Sequence, residues 1–412
     1  MAAGVGSCER SDCTAAAQRR RVAERGVADP WLAGRSRSIA PVTTPVLELF
    51  LDLVAIPSPS GEERAVADRV VRELDALGVT WEEDGCAAEI GAGAGNIHCR
   101  VPGAGASGTP LFFCAHFDTV PLVGPLDPVV EEGIVRNAAD AILGADNKAA
   151  LAVMIEASRR VLDERLPHAG IELLFTPKEE VGLVGAAAFD VDRLEARVGF
   201  VYDQAAPIGE VVVGSPSAQE LRLTFVGRAA HAGMYPEDGR SAIVAAARAI
   251  ADMPSGRLDE LTTVNVGVIR GGTARNVVPE RCTLDAEVRS HDHERVGEVV
   301  QQLVDAAAFA ASVSDCTLET SIEPKYRGYR LRDDGPAVTL AREGLSRAGY
   351  EPWLRLSGGA ADANVFNARG LECANLANGM TDIHTSDETI AVDDLDRMVD
   401  VTLGLVEAAR EL

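Results

Sequence analysis

The sequence predicts an α/β fold with a largely parallel central sheet and a smaller α+β segment inserted into it. Short, wholly apolar runs alternate with helix-like stretches towards both ends of the chain, the pattern of parallel strands buried on both faces. Between about residues 214 and 326 the texture changes to apolar–polar alternation, which marks strands with one wet face. At 412 residues the chain also exceeds what one ordinary core holds, so two domains are expected.

Taken in order, residues 1–45 read as a disordered extension. They contain Arg19, Arg20 and Arg21 but no apolar core for a secretory signal, and Glu9, Asp12, Glu24 and Asp29 argue against an Arg-rich targeting peptide. From Val46 onward, Leu47, Leu49, Phe50, Leu53 and Val54 recur at helical spacing until Pro57, Pro59 and Gly61 break the helix, and a second helix is predicted over 62–77. Buried strands are predicted at 111–115, 171–175, 198–201 and 371–376, with helices at 148–162, 337–348 and 393–409. Within the insertion, residues 221–226 and 282–288 alternate as strands, and 241–253 and 293–311 as helices. The chain therefore divides into a larger domain over 46–213 and 327–412 and an inserted domain over 214–326.

Charge and cysteine usage narrow the function. Asp and Glu number 63 against 39 Lys and Arg, a formal charge of -24, which repels nucleic acid and anionic membranes. No apolar run reaches the roughly 20 residues that span a bilayer. The eight cysteines are scattered without a C-x-x-C pair, which fits reduced thiols and a cytoplasmic location.

Ligands of open α/β sheets gather at the carboxyl ends of strands, and four predicted strands lead into polar residues there. The first runs into His116 and Asp118, the second into Glu179 and Glu180, the third into Asp203, and the last, through a loop, to His384. Asp146 opens a helix after a glycine-marked turn. Singly, each has an ordinary explanation as a helix cap, a solvated turn or a core histidine. Together, so many carboxylates on one rim would repel each other without cations.

Zinc takes imidazole nitrogen and carboxylate oxygen, and a two-ion site needs one shared carboxylate with separate ligands on each side. His116 and Asp203 suit one ion, Glu180 and His384 the other, with Asp146 bridging. Cobalt or manganese could substitute. Asp118, two residues beyond His116, is expected to orient the imidazole with its carboxylate. Glu179 should point away from the ligand Glu180 and serve as general base towards a metal-bound water.

With these motifs in place (116–120, 144–148, 176–182, Tyr202 with Asp203, and 384–386, all in order), the chain resembles the M20 family of metallopeptidases, nearest its peptidase T branch of tripeptide aminopeptidases. The resemblance covers roughly residues 46–412 and implies two zinc ions, a zinc-peptidase-like catalytic domain, an inserted lid or dimerisation domain, a homodimer, and hydrolysis of a peptide or N-acyl amide bond. It further implies substrate contacts from His231, Asn276 and Arg275, with His231 reaching the other subunit's site, and from the glycine-rich loop of Gly358, Gly359 and Asp362. Two departures stand out. Asn147 occupies the place of a second aspartate, and the glycine-rich loop lacks the arginine-led form of peptidase T enzymes. His98, His168, His291 and His293 match no motif and read as surface or packing residues.

The expected activity is cleavage of di- or tripeptides from the amino end. Its rivals are an N-acyl-amino-acid amidohydrolase or carboxypeptidase on the same metal centre, and a non-catalytic binding protein on this fold. Retention of Glu179 and all five ligands argues against the last.

Overall fold

The computed structural model describes residues 43–205 and 207–412. Most of the expected extension over 1–45 thus lies outside the described residues. Thr44 is inside them and caps the first helix, Pro45–Val54, by accepting from the amide of Leu47, with Pro45 already set for the first turn. That helix buries Val46, Leu47, Leu49, Phe50, Leu53 and Val54, the residues whose spacing predicts it.

The larger sheet has nine strands. Its centre is four parallel strands in the spatial order His168–Thr176, Leu111–His116, Val198–Gln204 and Glu372–Ala377. These contain the four apolar runs that the sequence singles out, and every residue of Leu111–His116 is buried. Outside them the pairing turns antiparallel, through Ile97–Ala104 and Thr80–Glu83 on one side and Glu210–Ser215 on the other, to which Trp353–Leu356 adds in parallel. The helices Ala145–Asp163, Pro336–Arg347 and Val392–Ala409 pack together with the first helix in one apolar core on one face. A second cluster, containing Phe112, Cys114, Phe189 and Phe366, covers the other face.

The insertion forms a separate sheet of five strands, all antiparallel, from Ser217–Val226 to Thr317–Tyr326. Leu221, Leu223, Phe225, Leu284 and Val288 face the helices Ala242–Asp252 and His293–Val313 and share a core with Val296, Val299 and Leu303. Its opposite face carries charged residues such as Arg222 and Asp285, which pair at 2.7 Å. The strand Thr317–Tyr326, mostly exposed on both faces and interrupted by Pro324, has no apolar alternation to betray it in the sequence. Among the described residues no helix is long and apolar enough to cross a membrane.

Two helices beneath the ligand loops meet glycine to glycine. A Cβ on Gly404 would stand 2.6 Å from the carbonyl oxygen of Gly344, and one on Gly344 would stand 2.7 Å from the Leu405 side chain. The helix Val392–Ala409 also holds Thr402 against the buried Tyr202 hydroxyl at 2.9 Å, next to Asp203. Overpacking of this kind typically costs about 1–3 kcal/mol. Gly404→Ala should therefore lower unfolding stability by that amount in a denaturant titration; an unchanged midpoint and slope would show that the helices part freely.

Candidate metal centre

The parallel topology sets one strand end beside the next, so the side chains that follow these strands share one rim of the sheet. His116 is the last residue of its strand and is buried. Its Nδ1 lies 2.9 Å from the backbone carbonyl of Asp118, which fixes the proton on Nδ1 and leaves Nε2 free to act as a ligand. Nε2 stands 3.2 Å from Asp146 Oδ1 and 3.7 Å from Asp203 Oδ1. On the far side of Asp146, its Oδ2 lies 3.2 Å from His384 Nε2, and that same nitrogen is 3.1 Å from Glu180 Oε1. Asp146 thus stands between two imidazoles with one oxygen towards each, and the five expected ligands are brought together.

The electrostatics of the group suit divalent cations. Burial, then repulsion from Asp146, pushes the Asp203 carboxyl up to about 8 against the pull of His116. Burial, then the Asp203 charge, holds Glu179 well above the ordinary carboxylate range. Burial also works against ionisation of Asp146, yet hydrogen bonds from His116 and His384 outweigh it and keep its pKa low. Hydrogen bonds to Asp146 and Glu180 raise His384 to about 10. A set of oxygen and imidazole donors that can ionise together only beside positive charge is the chemistry of a metal site. Two groups in the set, His116 with Asp146 and Glu180 and His116 with Glu179 and Asp203, have ligand atoms within 4.8 Å of one another.

The structure differs from the sequence reading at several residues. The Asp118 carboxylate is not the main orienter of the imidazole: Oδ1 is 3.5 Å from Nδ1, beyond the backbone carbonyl. Instead it accepts from the amides of Glu179 at 2.9 Å and Glu180 at 3.3 Å and from the Ser60 hydroxyl at 2.6 Å, so it shapes the turn that carries both glutamates. Glu179 stands beside the centre on a different side from Glu180, on a backbone that turns sharply at Lys178 (φ 55). Its Oε2 stands 4.0 Å from His116 Nε2. Asp362 is not a cleft residue. It is buried behind the strands, accepting from Thr176 Oγ1 at 2.5 Å, and burial raises its pKa to about 6.

The cleft over the centre, about 560 Å³, is lined by Asp146, Glu179, Glu180, Asp203 and His384, by Ser357, Gly359 and Ala360 of the glycine-rich loop, and by Arg289, Lys325 and Tyr326 of the smaller sheet. Gly358 is exposed beside it, with no protein atom within 4 Å of where a Cβ would stand. His231, Arg275 and Asn276 are exposed and do not line this cleft. They sit together on one tip of the smaller sheet, where the Ala232 amide donates to the Asn276 carbonyl at 3.0 Å. His98 is buried on Glu172 at 3.0 Å and His168 is buried, both in structural settings, while His291 reaches the Ser357 carbonyl at 2.8 Å.

Residues absent from the sequence reading hold the expected ligands in place. Glu388, buried, accepts from the amides of Gly144 at 2.7 Å and Asp146 at 2.9 Å and so ties the bridging loop to the segment carrying His384. Asn375 grips the backbone of Asp203 at both its amide, 2.8 Å, and its carbonyl, 3.1 Å. The only cue to Glu388 in the sequence is its position four residues after His384, and nothing local marks Asn375.

The chain is 37% identical over 364 residues to an uncharacterized Bacillus subtilis protein, YqjE, covering 88% of this chain and 98% of that one. Among solved structures, aminopeptidase PepT from Bacillus cereus matches with a TM-score of 0.82 at 35% identity, over 89% of this chain and 98% of its own. A tripeptidase from Staphylococcus aureus matches with a TM-score of 0.85 at 32% identity and the same coverage. Residues 213–313 match the family model described as a peptidase dimerisation domain, and residues 96–211 match that of peptidase family M28.

Removal of a group that orients ligands typically costs about 10- to 100-fold in metal affinity. Glu388→Gln, which leaves one carboxamide oxygen where two carboxylate oxygens accept, should weaken divalent-ion binding by that factor in a calorimetric titration. Wild-type affinity would mean that the Asp146 loop holds its shape without Glu388.

Proposed function

Because the chain belongs to the M20 family of metallopeptidases, on its peptidase T-like branch, we propose that it is an aminopeptidase acting on di- or tripeptides, with two zinc ions per chain. The observation that carries this reading is Asp146 standing between His116 and His384 with one carboxylate oxygen towards each. His116, Asp203 and Asp146 would hold one ion, and Glu180, His384 and Asp146 the other. Cobalt or manganese would substitute in the same donor set. When bound, the ions would supply Lewis acidity for hydrolysis of an amide bond.

The side chains have separate tasks. Glu179, at the edge of the centre and open to the cleft, accepts a proton from the attacking water and delivers it to the leaving amine. On the wall that the smaller sheet contributes, Arg289 pairs with Glu287 at 3.0 Å and Lys325 with Glu220 at 2.9 Å, all four lining the cleft, and the Arg289 Nε, buried with no hydrogen-bond partner among the described residues, is the N–H that would meet the carboxylate of a short peptide. The two solved relatives are themselves named as an aminopeptidase and a tripeptidase.

His231 supports a homodimeric site. Its Nδ1 accepts from the amides of Gly233 at 3.2 Å and Met234 at 3.1 Å, so the neutral ring carries its proton on Nε2 and offers an exposed donor. In a dimer built through the inserted sheet, that donor would stabilise the developing oxyanion in the other subunit's cleft, a role worth about 3 kcal/mol. Arg275 and Asn276 would hold the substrate from the same tip. Exposed Ile243, Val244, Phe309 and Val313 on the two helices of the insertion offer apolar area for such an interface. The free cysteines among the described residues, most of them buried, agree with a reducing, cytoplasmic setting.

A panel of tripeptides with free or acetylated amino termini tests the activity. Cleavage of the free peptides, lost by about 10²- to 10⁴-fold in Glu179→Gln with metal content unchanged, is expected. Preference for the acetylated series would replace the reading with an amidohydrolase on the same centre.

Mixing Glu179→Gln with His231→Ala under conditions that exchange subunits should restore part of the activity, since mixed dimers contain one site with both residues intact. Proven exchange without recovery would confine His231 to its own subunit or remove it from catalysis.

A further inference from the structure

The chain passes between the two sheets twice. It leaves the larger sheet after Glu210–Ser215, crosses at Pro216 and begins Ser217–Val226. It returns after Thr317–Tyr326 through Arg327 and Gly328 to Tyr329–Arg330. The two crossings touch: a Cβ on Gly328 would stand 2.6 Å from both the Ser215 carbonyl oxygen and the Ser217 nitrogen, so only glycine fits. The Gly328 amide donates to Ser217 Oγ at 2.7 Å, and His293 Nδ1 lies 3.2 Å from the same hydroxyl.

Asn364, 1% exposed, spends its whole carboxamide at this point. Its Nδ2 donates to the carbonyls of Arg327 at 3.0 Å and Pro216 at 3.4 Å, one on each crossing. Its Oδ1 accepts from the amide of Ala361 at 3.3 Å, at the end of the loop whose Ser357, Gly359 and Ala360 line the cleft. The rest of that loop is held by the same neighbourhood. Ser215 Oγ donates to the Gly359 carbonyl at 2.7 Å, and the Ser357 amide donates to the Gly214 carbonyl at 2.9 Å. From the smaller sheet, His291 Nε2 meets the Ser357 carbonyl at 2.8 Å; a carbonyl can only accept, so Nε2 carries the proton.

We propose that Asn364 is a positioning residue that fixes the cleft loop over residues 357–361 to both crossings between the sheets, with His291 completing the hold from the smaller sheet. Orientation of the smaller sheet, which brings Arg289 and Lys325 to the cleft, is thereby coupled to the shape of the loop opposite. The inference rests on the reading of this cleft as the peptide site. Its physical core is that the loop, glycine-containing and packed apolarly at Ala361 alone, takes its shape mainly from hydrogen bonds, and small misplacements of substrate-holding groups are costly.

The test uses the full chain and three variants. Asn364→Asp keeps the side-chain shape but cannot donate to two carbonyls. His291→Ala removes the outer contact at a half-buried position where folding is not at risk, and His291→Gln retains an N–H able to reach Ser357. Hydrogen–deuterium exchange over residues 357–361 should accelerate about tenfold in Asn364→Asp and His291→Ala, with the strand Leu111–His116 and metal content unaffected. KM for the best tripeptide should rise about tenfold while kcat stays within about threefold, and His291→Gln should recover most of both. Loop exchange at the wild-type rate in both disruptive variants would reduce these residues to packing. A loosened loop with unchanged KM would break the coupling to substrate. Failure of the wild-type protein to cleave any peptide would overturn the functional reading alone, because the exchange measurement decides the role of Asn364 without turnover.

Discussion

Carboxylates crowded at the ends of four parallel strands set the terms for the rest of this structure. Asp118, Asp146, Glu179, Glu180, Asp203 and Glu388 all lie on or just behind one rim, and most are buried. Buried negative charge at this density persists only when each group is neutralised by something specific. The acids divide by how that is done. Asp118 and Glu388 are satisfied by backbone amides, so they can stay within the protein and shape loops. Asp146, Glu180 and Asp203 meet imidazoles and each other, and their oxygens converge where cations would stand.

That division explains why the centre needs so much scaffold. The sheet supplies the coarse placement by putting the strand ends side by side. Finer placement comes from side chains that grip backbone: Glu388 on the Asp146 loop, Asn375 on Asp203, and Asp118 on the glutamate turn. Lys178 adds a tether by donating to the Ile90 carbonyl at 2.9 Å. Each grips a polypeptide segment where a hydrophobic contact would leave rotation free, because hydrogen bonds to backbone groups specify direction as well as distance.

The sequence discloses the parts of this design that depend on local pattern. Runs such as 111–115 and 171–175 announce buried strands by composition, and the helix starting at Pro45 announces itself by spacing and cap. The expected ligands are legible because strand ends have a known functional bias. Their supports are not: Glu388 and Asn375 act through contacts far along the chain, and no local periodicity encodes a hydrogen bond to residue 144 or 203. Asp362 misleads for the same reason, since its motif suggests a cleft position while burial against Thr176 decides otherwise. The strand Thr317–Tyr326 escapes notice because an edge strand with two exposed faces has no hydrophobic signature.

The contact between the two crossings also bears on how the chain reaches this fold. Tyr329 pairs with Ser215 in the larger sheet, so everything between them is, topologically, one long hairpin loop. The entropic cost of closing a loop grows only with the logarithm of its length. The intervening segment brings a core of its own around Leu223, Phe225, Val288 and Leu303, which can order before the closure occurs. The larger sheet, by contrast, cannot complete its parallel centre until Glu372–Ala377 is available, and His384 comes later still. During synthesis the inserted sheet can therefore stand folded while the ligand row is still missing its last strand and its second histidine. Completion of the expected ligand row is then a property of the finished chain, reached at the end of folding instead of guiding its beginning.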